Sequence, residues 1–231
     1  MNLMVYISAW CAWAPEVETN EDWQAWARGE KALVASAQSP SLTHVEAMFK
    51  RRLSQLTRMV MHTGHVVLQG RQDVPVTLVS RYGEIGQQFK ITDKLLAEGE
   101  VSPANFSLSV FNTPVAALSI SEGIQAGYTV CFPAVDEFAQ GVLEACASLG
   151  SSSEQNRVLI FADEMIPSEY LPLVKEPVQP HALAILLQKE KGSECLALHP
   201  DVFAVNTPSA LSFIREVLLP SLPMSEYQET K

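Results

Sequence analysis

One short run constrains the fold more than any other part of the chain. The segment RVLIFAD (157–163) is apolar at five consecutive positions. Because alternate side chains of a strand point to opposite faces of a sheet, both faces of such a strand must be covered. A second run of strand length, HALAILLQK (181–189), follows soon after it. The pair predicts a layered α/β protein in which helices cover a central sheet.

Strands and helices alternate through the first two thirds of the chain. LMVYISAW (3–10), VPVTLVSR (74–81) and YTVCFP (128–133) have the composition of strands. Helices are predicted for residues 43–60, 91–100 and 136–149, where apolar residues or good helix formers recur. Thr43 and Glu46 fit a capping box at the first of these helices. We therefore predict one domain, residues 1–231, with a mostly parallel sheet, flanking helices and an antiparallel edge.

Three segments are less regular. Residues 14–42 are polar, and Trp23 and Trp26 are expected to be exposed there. Residues 164–180 contain four prolines and are predicted to be a connection, whereas residues 207–219 favour a closing helix.

Charge excludes several classes of function. The chain has 26 acidic and 16 basic residues, a net charge of -10. Nucleic acids and acidic membranes are bound by clustered cationic side chains, which this composition opposes. The first basic residue is Arg28, so the positive region of a signal peptide is missing, and no apolar run approaches the roughly 20 residues that span a bilayer. We expect a cytoplasmic protein that binds neither nucleic acid nor a membrane.

The cysteines and histidines give no pattern of a metal centre. Cys11, Cys131, Cys146 and Cys195 form no CxxC pair and are flanked by apolar residues, which favours free, buried thiols in a reducing compartment. His62 and His65 are placed to share a helix face, but no Cys, Asp or Glu follows at ligand spacing. No metal site and no cofactor are expected.

The segment YTVCFPAVDEFAQGVLEA (128–145) has the pattern of a strand, a sharp turn and a helix. A thiol at such a turn is activated by the helix N-terminus, but Cys131 lies inside the strand, before the turn. The turn residues Ala134 and Val135 have no nucleophilic atom. Asp136 and Glu137 are good capping residues, and their charge would oppose a thiolate. We predict that this turn carries no catalytic residue.

Three stretches resemble the β-ketoacyl synthase-like N-terminal-domain family, which comprises short relatives of condensing enzymes similar to the chain-length factors of aryl polyene biosynthesis clusters. They are SRYGE (80–84), LLAEGEVSPANFSLSVFNTPVAALSI (95–120) and PAVDEFAQGVLEA (133–145). The resemblance implies the N-terminal half of a thiolase-type fold, without its C-terminal half. It places Ala134 or Val135 where a condensing enzyme has its nucleophilic Cys, and His199, in LALHP, lies in no His-Gly loop. The chain also has Tyr82 and Phe111 where its relatives commonly carry His.

The resemblance further implies a non-catalytic subunit that pairs with a β-ketoacyl-[acyl carrier protein] synthase. The strand before the turn would form the interface, and its candidate residues are Tyr128, Val130, Phe132 and Pro133. The candidates for shaping the partner's acyl tunnel are Asn105, Phe106, Phe111 and Phe132. The synthase would supply the catalytic groups and bind the acyl carrier protein, which this acidic chain would meet only indirectly.

Other interpretations remain open at this level. The four tunnel candidates include three phenylalanines, and for each of them taken singly an ordinary core position is the favoured interpretation. The chain is also compatible with a homodimeric interaction protein that has no synthase partner. A hydrolase or acyltransferase that uses Ser107, Ser109 or Ser119 is a third possibility, although none of these serines lies in a GxSxG motif.

Overall fold

The computed structural model describes residues 4–133, 135–174 and 179–226. Within them, the strands are β1 (Val5–Trp13), β2 (Val76–Val79), β3 (Tyr128–Cys131), β4 (Asn156–Asp163), β5 (His181–Gln188) and β6 (Leu196–Leu198). The α-helices are α1 (Asn20–Ala27), α2 (Ala47–Lys50), α3 (Gln55–Leu68), α4 (Ile85–Glu98), α5 (Pro103–Phe106), α6 (Thr113–Glu122), α7 (Glu137–Ser151), α8 (Asp201–Val205), α9 (Ala210–Phe213) and α10 (Leu219–Ser221). A π-helical turn, Ile214–Leu218, joins α9 to α10. The predicted closing helix is therefore confirmed, and it begins three residues later than predicted, at Ala210.

The strands form one sheet in the order β3-β2-β4-β5-β1-β6. The α/β class with flanking helices is confirmed, and β2 pairs in parallel with both β3 and β4. The other three pairs are antiparallel, so the sheet is mixed rather than mostly parallel. The connection from β4 to β5 explains the difference. Two consecutive parallel strands need a long crossover, usually an α-helix, whereas the described part of this connection contains only a 3-10 turn, Ser168–Leu173.

Helices cover both faces of the sheet, as the apolar run of β4 predicted. Leu159 and Phe161 pack toward α7 and the C-terminal helices, in one core cluster. Val158 and Ile160 pack toward α3 and α6, in the other. The predicted apolar face of α7 is buried in the first cluster: Phe138, Val142, Ala145, Cys146 and Leu149. Because successive side chains of β4 point to opposite faces of the sheet, this strand contributes to both core clusters.

Residues 14–42 differ from the prediction. They include α1, whose N-cap Thr19 forms a capping box with Asp22. Trp23 and Trp26 are buried rather than exposed, with ring centroids 5.3 Å apart in a T-shaped contact. The Nε1 of Trp23 donates to the carbonyl of Ala12 at 3.1 Å, so the indole binds the end of β1. A polar segment thus contributes two large side chains to the core.

The helix predicted over residues 43–60 is two helices. Glu46, rather than Thr43, is the N-cap of α2, and its carboxylate accepts hydrogen bonds from the first turn. Ser54 is the N-cap of α3 and accepts from the backbone of Thr57. Met48, placed on the apolar face by its spacing, is 73% exposed because it belongs to the short first helix.

The remaining predictions at this level concern thiols and membrane segments. All four cysteines are free; Cys11 and Cys146 are buried, whereas Cys131 and Cys195 are half-buried. Among the described helices, none combines the length and the apolar character that crossing a bilayer requires.

Candidate functional site

The turn between β3 and α7 has the predicted strand, turn and helix. Cys131 ends the strand, and burial together with the nearby Glu144 raises the pKa of its thiol, which keeps it protonated. Val135 is 66% exposed at the turn, whereas Ala134 lies outside the described residues. Asp136 is the N-cap of α7, with a left-handed φ of 49°, which Asp tolerates better than most residues. Its side chain makes no capping hydrogen bond to the described backbone, so Asp136 caps by position rather than through its carboxylate.

A cleft of about 840 Å³ opens beside this turn. Its walls include Tyr82, Phe132, Val135, Leu173, His181 and Ala210. Arg81 lines the cleft, and its Nε lies 3.0 Å from Oε1 of Glu137 at the start of α7. This ion pair partly neutralises the charge of Glu137 at the start of α7.

Internal hydrogen bonds occupy some of the polar groups beside this cleft, whereas the buried Nε2 of His181 makes no hydrogen bond to the described residues. Ser80 Oγ donates to Asp163 Oδ1 at 3.0 Å, and the backbone of Arg81 donates to the same oxygen at 2.8 Å. Burial raises the pKa of Asp163 to about 6 and lowers that of His181 to about 4. The neutral imidazole of His181 lies 2.7 Å from the carbonyl of Gln179, through Nδ1. The hydroxyl therefore points to a carboxylate, and the imidazole to the backbone, which is not a nucleophile–base arrangement.

Strand β3 lies at the edge of the sheet, and β2 is its hydrogen-bonded neighbour among the described residues. Val76 donates to the carbonyl of Gly127 at 3.3 Å. Because backbone groups alternate along a strand, those of Tyr128 and Val130 point to the open edge. Tyr128 is 40% exposed, whereas Val130 and Pro133 are partly buried. The four predicted interface residues therefore follow one another along an unpaired edge.

The tunnel candidates divide into two groups. Phe111 and Phe132 form a T-shaped contact with ring centroids 4.3 Å apart, and Phe132 is 62% exposed. Phe111 also packs on Gly83, where an added Cβ would clash with the ring. Asn105 and Phe106 lie on α5 and face solvent, and Phe106 is 59% exposed. Phe106 and Phe132 are therefore not core residues.

Helix α4 presents a second exposed apolar surface, which the sequence predictions missed. None of its residues is fully buried, and Leu95 and Leu96 are 48% and 82% exposed. Its first turn is fixed, because the backbone of Gly86 donates to Glu164 Oε1 at 2.8 Å. The sequence predicted a helix in this region. It did not show that the apolar side chains of that helix would be left uncovered by the other described residues. We call β3, Phe111, Phe132 and α4 the docking face.

A pair of buried carboxyl groups supports the start of α4. Glu84 is fully buried and accepts hydrogen bonds from Ser54 Oγ, at 2.9 Å, and from Thr57 Oγ1. Burial, together with the negative charge of Glu164, raises the pKa of Glu84 to about 8. Burial also raises the pKa of Glu164, but the backbone N–H groups of Gly86 and Leu56 donate to its carboxylate and favour its charged form, so we place the proton on Glu84. Single-sequence reasoning gave no signal for this pair.

The three serines considered as nucleophiles make local hydrogen bonds. Ser107 and Ser109 donate to carbonyls three residues earlier, at 2.9 Å each, and Ser119 donates to the carbonyl of Val115 at 2.8 Å. Such bonds within one turn are structural and leave the hydroxyl without an activating base.

Known proteins share this architecture. A ketosynthase (ApeO) in complex with its chain length factor (ApeC) from Xenorhabdus doucetiae matches with a TM-score of 0.73 and 28% identity, over 82% of this chain and 81% of that one. The ishigamide ketosynthase/chain length factor matches with a TM-score of 0.64 and 12% identity, over 83% of this chain and 63% of that one. A β-ketoacyl synthase from Burkholderia phymatum STM815 matches with a TM-score of 0.64 and 10% identity, over 82% of this chain and 60% of that one. No curated protein sequence matched.

The two lower identities show the fold alone, which is the thiolase-type fold of ketosynthases. This chain spans less than two thirds of those two chains, whereas it spans most of the matched chain from Xenorhabdus. A family model described as "Beta-ketoacyl synthase, N-terminal domain" matches residues 23–214, which is most of the sequence. The chain therefore belongs to the β-ketoacyl synthase N-terminal-domain family.

Proposed function

We propose that this chain is a non-catalytic, chain-length-factor-like subunit that forms a heterodimer with a β-ketoacyl-[acyl carrier protein] synthase. One observation carries the proposal: β3 leaves an open backbone edge beside the exposed rings of Tyr128 and Phe132. An unpaired, apolar edge strand is a template for a partner's strand. The 28% identity to a chain from the structure of a ketosynthase in complex with its chain length factor supports a synthase as that partner.

Residues at the turn support the non-catalytic part of the proposal. Ala134 and Val135 lack a nucleophilic atom, and Cys131 is a protonated thiol at the end of the strand. The synthase would therefore supply the nucleophilic Cys and both catalytic His. It would also bind the acyl carrier protein, because carrier proteins are acidic and a chain of net charge -10 repels them.

The extent of the docking face supports a stable complex. Contacts run from Phe132 through Phe111 to Gly83, immediately before α4, and Gln88 on α4 donates to the carbonyl of Ser109 at 3.3 Å. The exposed leucines of α4 extend the apolar area beyond the strand. Apolar surfaces of this kind mark interaction sites, and a partner that covers them removes the hydrophobic area from water.

The proposal includes a role in shaping the product. The partner's acyl tunnel would end against Asn105, Phe106, Phe111 and Phe132, in aryl polyene synthesis or a related polyketide or fatty-acid-like pathway. In this scheme residues 1–231 form a single domain that acts in the cytoplasm. The subunit thus both stabilises the synthase and limits the length of its acyl chain.

Replacing Phe111 with Ala is expected to lengthen the products of the reconstituted pair. The smaller side chain opens space at the end of the tunnel, and one methylene in such a pocket is worth about 1–3 kcal/mol. The measurement is mass spectrometry of the acyl chains carried by the carrier protein, with Phe106→Ala as a second variant. Met48→Ala, on an exposed residue outside the docking face, is the control. An unchanged length distribution in both Phe variants would leave the subunit a stabilising role alone.

Co-expression with a synthase tests the pairing itself. With a tag on this chain only, we expect the synthase to co-purify in a 1:1 complex by size-exclusion chromatography with mass determination. Recovery of this chain as a well-behaved homodimer, beside an untouched synthase, would contradict the proposal and favour the homodimeric interaction protein. Labelling of the purified chain by a serine-reactive probe would instead revive the hydrolase interpretation.

A further inference from the structure

Three side chains that are not part of the docking face converge at the ends of α3 and α6. His65 lies in the last turn of α3, Glu122 is the last residue of α6, and His44 precedes α2. Their candidate ligand atoms all lie within 4.8 Å of one another. We propose that His44, His65 and Glu122 bind a divalent transition-metal cation of the zinc class.

The distances suit such a cation after a small adjustment. His65 Nδ1 lies 2.9 Å from Glu122 Oε1, and His44 Nε2 lies 3.8 Å from the same oxygen. For metal–ligand distances of about 2.0–2.2 Å, neighbouring ligands of a tetrahedral centre are roughly 3.3 Å apart. The two imidazoles are stacked with centroids 3.8 Å apart and an interplanar angle of 10°. On binding, they would tilt so that each nitrogen lone pair points at the ion.

The donor types determine the class of metal. Two imidazole nitrogens and one carboxylate oxygen are the ligands that Zn²⁺ and its neighbours in the first transition row prefer, whereas Mg²⁺ prefers oxygen. The Glu122 side chain is 8% exposed and the His44 side chain 15%, so bulk water competes weakly for the ion. An imidazole binds a metal through the lone pair of its unprotonated nitrogen, so its neutral form loses no proton on binding.

The surrounding field favours a cation. Helices α3 and α6 both place their C-terminal ends here, and a helix C-terminus carries partial negative charge. Glu122 adds a full negative charge. His62 is also near, and burial lowers its pKa to about 4, so it stays neutral. Lys50 is a positive group whose field reaches His44, and it opposes binding of the ion.

The site has an open side. A cleft of about 810 Å³ borders His65 and is also lined by Asn20, Gln69 and Glu226. Water in this cleft would complete the coordination of the ion, as in zinc sites with three protein ligands. The ion would join α3, α6 and the segment before α2, and so stabilise the fold independently of any synthase partner. Sequence spacing alone predicted no metal here, because the three ligands are far apart along the chain.

The test is calorimetric titration of the purified, metal-free full chain with zinc chloride, together with thermal unfolding. We expect one ion per chain and a higher Tm with zinc, and no binding of Mg²⁺ in the same range. Glu122→Gln and His44→Ala are each expected to weaken zinc binding at least about ten-fold, since even outer-shell changes cost that much. His199→Ala removes an exposed histidine outside the cluster and is expected to change nothing.

Cobalt substitution keeps the proposal testable if a variant fails to fold. The unaltered chain with Co²⁺ is expected to show the intense visible absorption of a tetrahedral nitrogen and oxygen site, and zinc should displace it. Absence of zinc binding, an octahedral cobalt spectrum, or unchanged affinity in a folded His44→Ala/Glu122→Gln double variant would each overturn the proposal. The last outcome would mean that zinc binds adventitiously elsewhere.

Discussion

The double substitution Tyr128→Asp and Phe132→Asp is expected to abolish pairing with the synthase while the chain stays folded. Both rings are substantially exposed, at 40% and 62%, so the substitution removes little from the core. At an interface, each lost aromatic ring forfeits about 1.5–3 kcal/mol of burial. Each new carboxylate would also lie without a partner in a desolvated contact, which is strongly unfavourable. Together these effects predict a loss of affinity of at least about 100-fold.

Titration of the two purified subunits measures this loss, and circular dichroism of the variant checks its fold. Met48→Asp adds the same charge to an exposed apolar residue outside the docking face, and it is expected to bind as tightly as the unaltered chain. Wild-type affinity in the double variant would show that the synthase, if it binds, uses another surface. An equal loss in Met48→Asp would point to a general effect of added charge.

Raising the pH is expected to destabilise the protein through Glu84. The pKa of this group is 4.5 ordinarily and about 8 in the folded chain, because burial and the charge of Glu164 disfavour its ionised form. The folded state therefore binds more protons than the unfolded state between these values. The contribution of Glu84 to stability is complete below pH 4.5 and is lost as the pH rises through 8. At about 1.4 kcal/mol per pH unit, the loss amounts to about 3–5 kcal/mol.

Glu84→Gln isolates this effect. Its amide oxygen can accept the hydrogen bonds of Ser54 and Thr57, and the amide has no titratable proton. The measurement is denaturant unfolding at pH 5, 6, 7 and 8. As the pH rises, the free energy of unfolding of the unaltered chain is expected to decrease relative to that of the variant. Glu98→Gln, on an exposed residue of α4, is the matched control. Parallel pH curves for Glu84→Gln and the unaltered chain would contradict the assignment.

Patterns that depend on near neighbours in the chain were predictable. The run at 157–163 required cover on both faces, and the structure supplies it. The spacing of Phe138, Val142 and Leu149 placed one face of α7 in the core. The absence of a nucleophilic atom at Ala134 and Val135 is a property of the sequence itself. In each case the relevant interaction is set by strand or helix periodicity.

Some local signals were present but undervalued. Thr19 and Asp22 have the spacing of a capping box, which marks the start of α1. What spacing did not reveal is that Trp23 binds the carbonyl of Ala12 and so lies beneath the end of β1. Burial of an aromatic residue in a polar segment depends on which surface the segment packs against, and that surface comes from elsewhere in the chain.

The α/β class, five of the six described strands, the buried face of α7 and a turn without a nucleophile were predictable from the sequence. The folded structure was needed to see that β3 lies at the sheet edge, that the charge of Glu164 acts on Glu84, and that His44 and His65 lie beside Glu122. The difference is one of range along the chain. Periodicity and capping act over a few residues, whereas strand order and buried polar clusters arise from packing between segments that no local pattern relates.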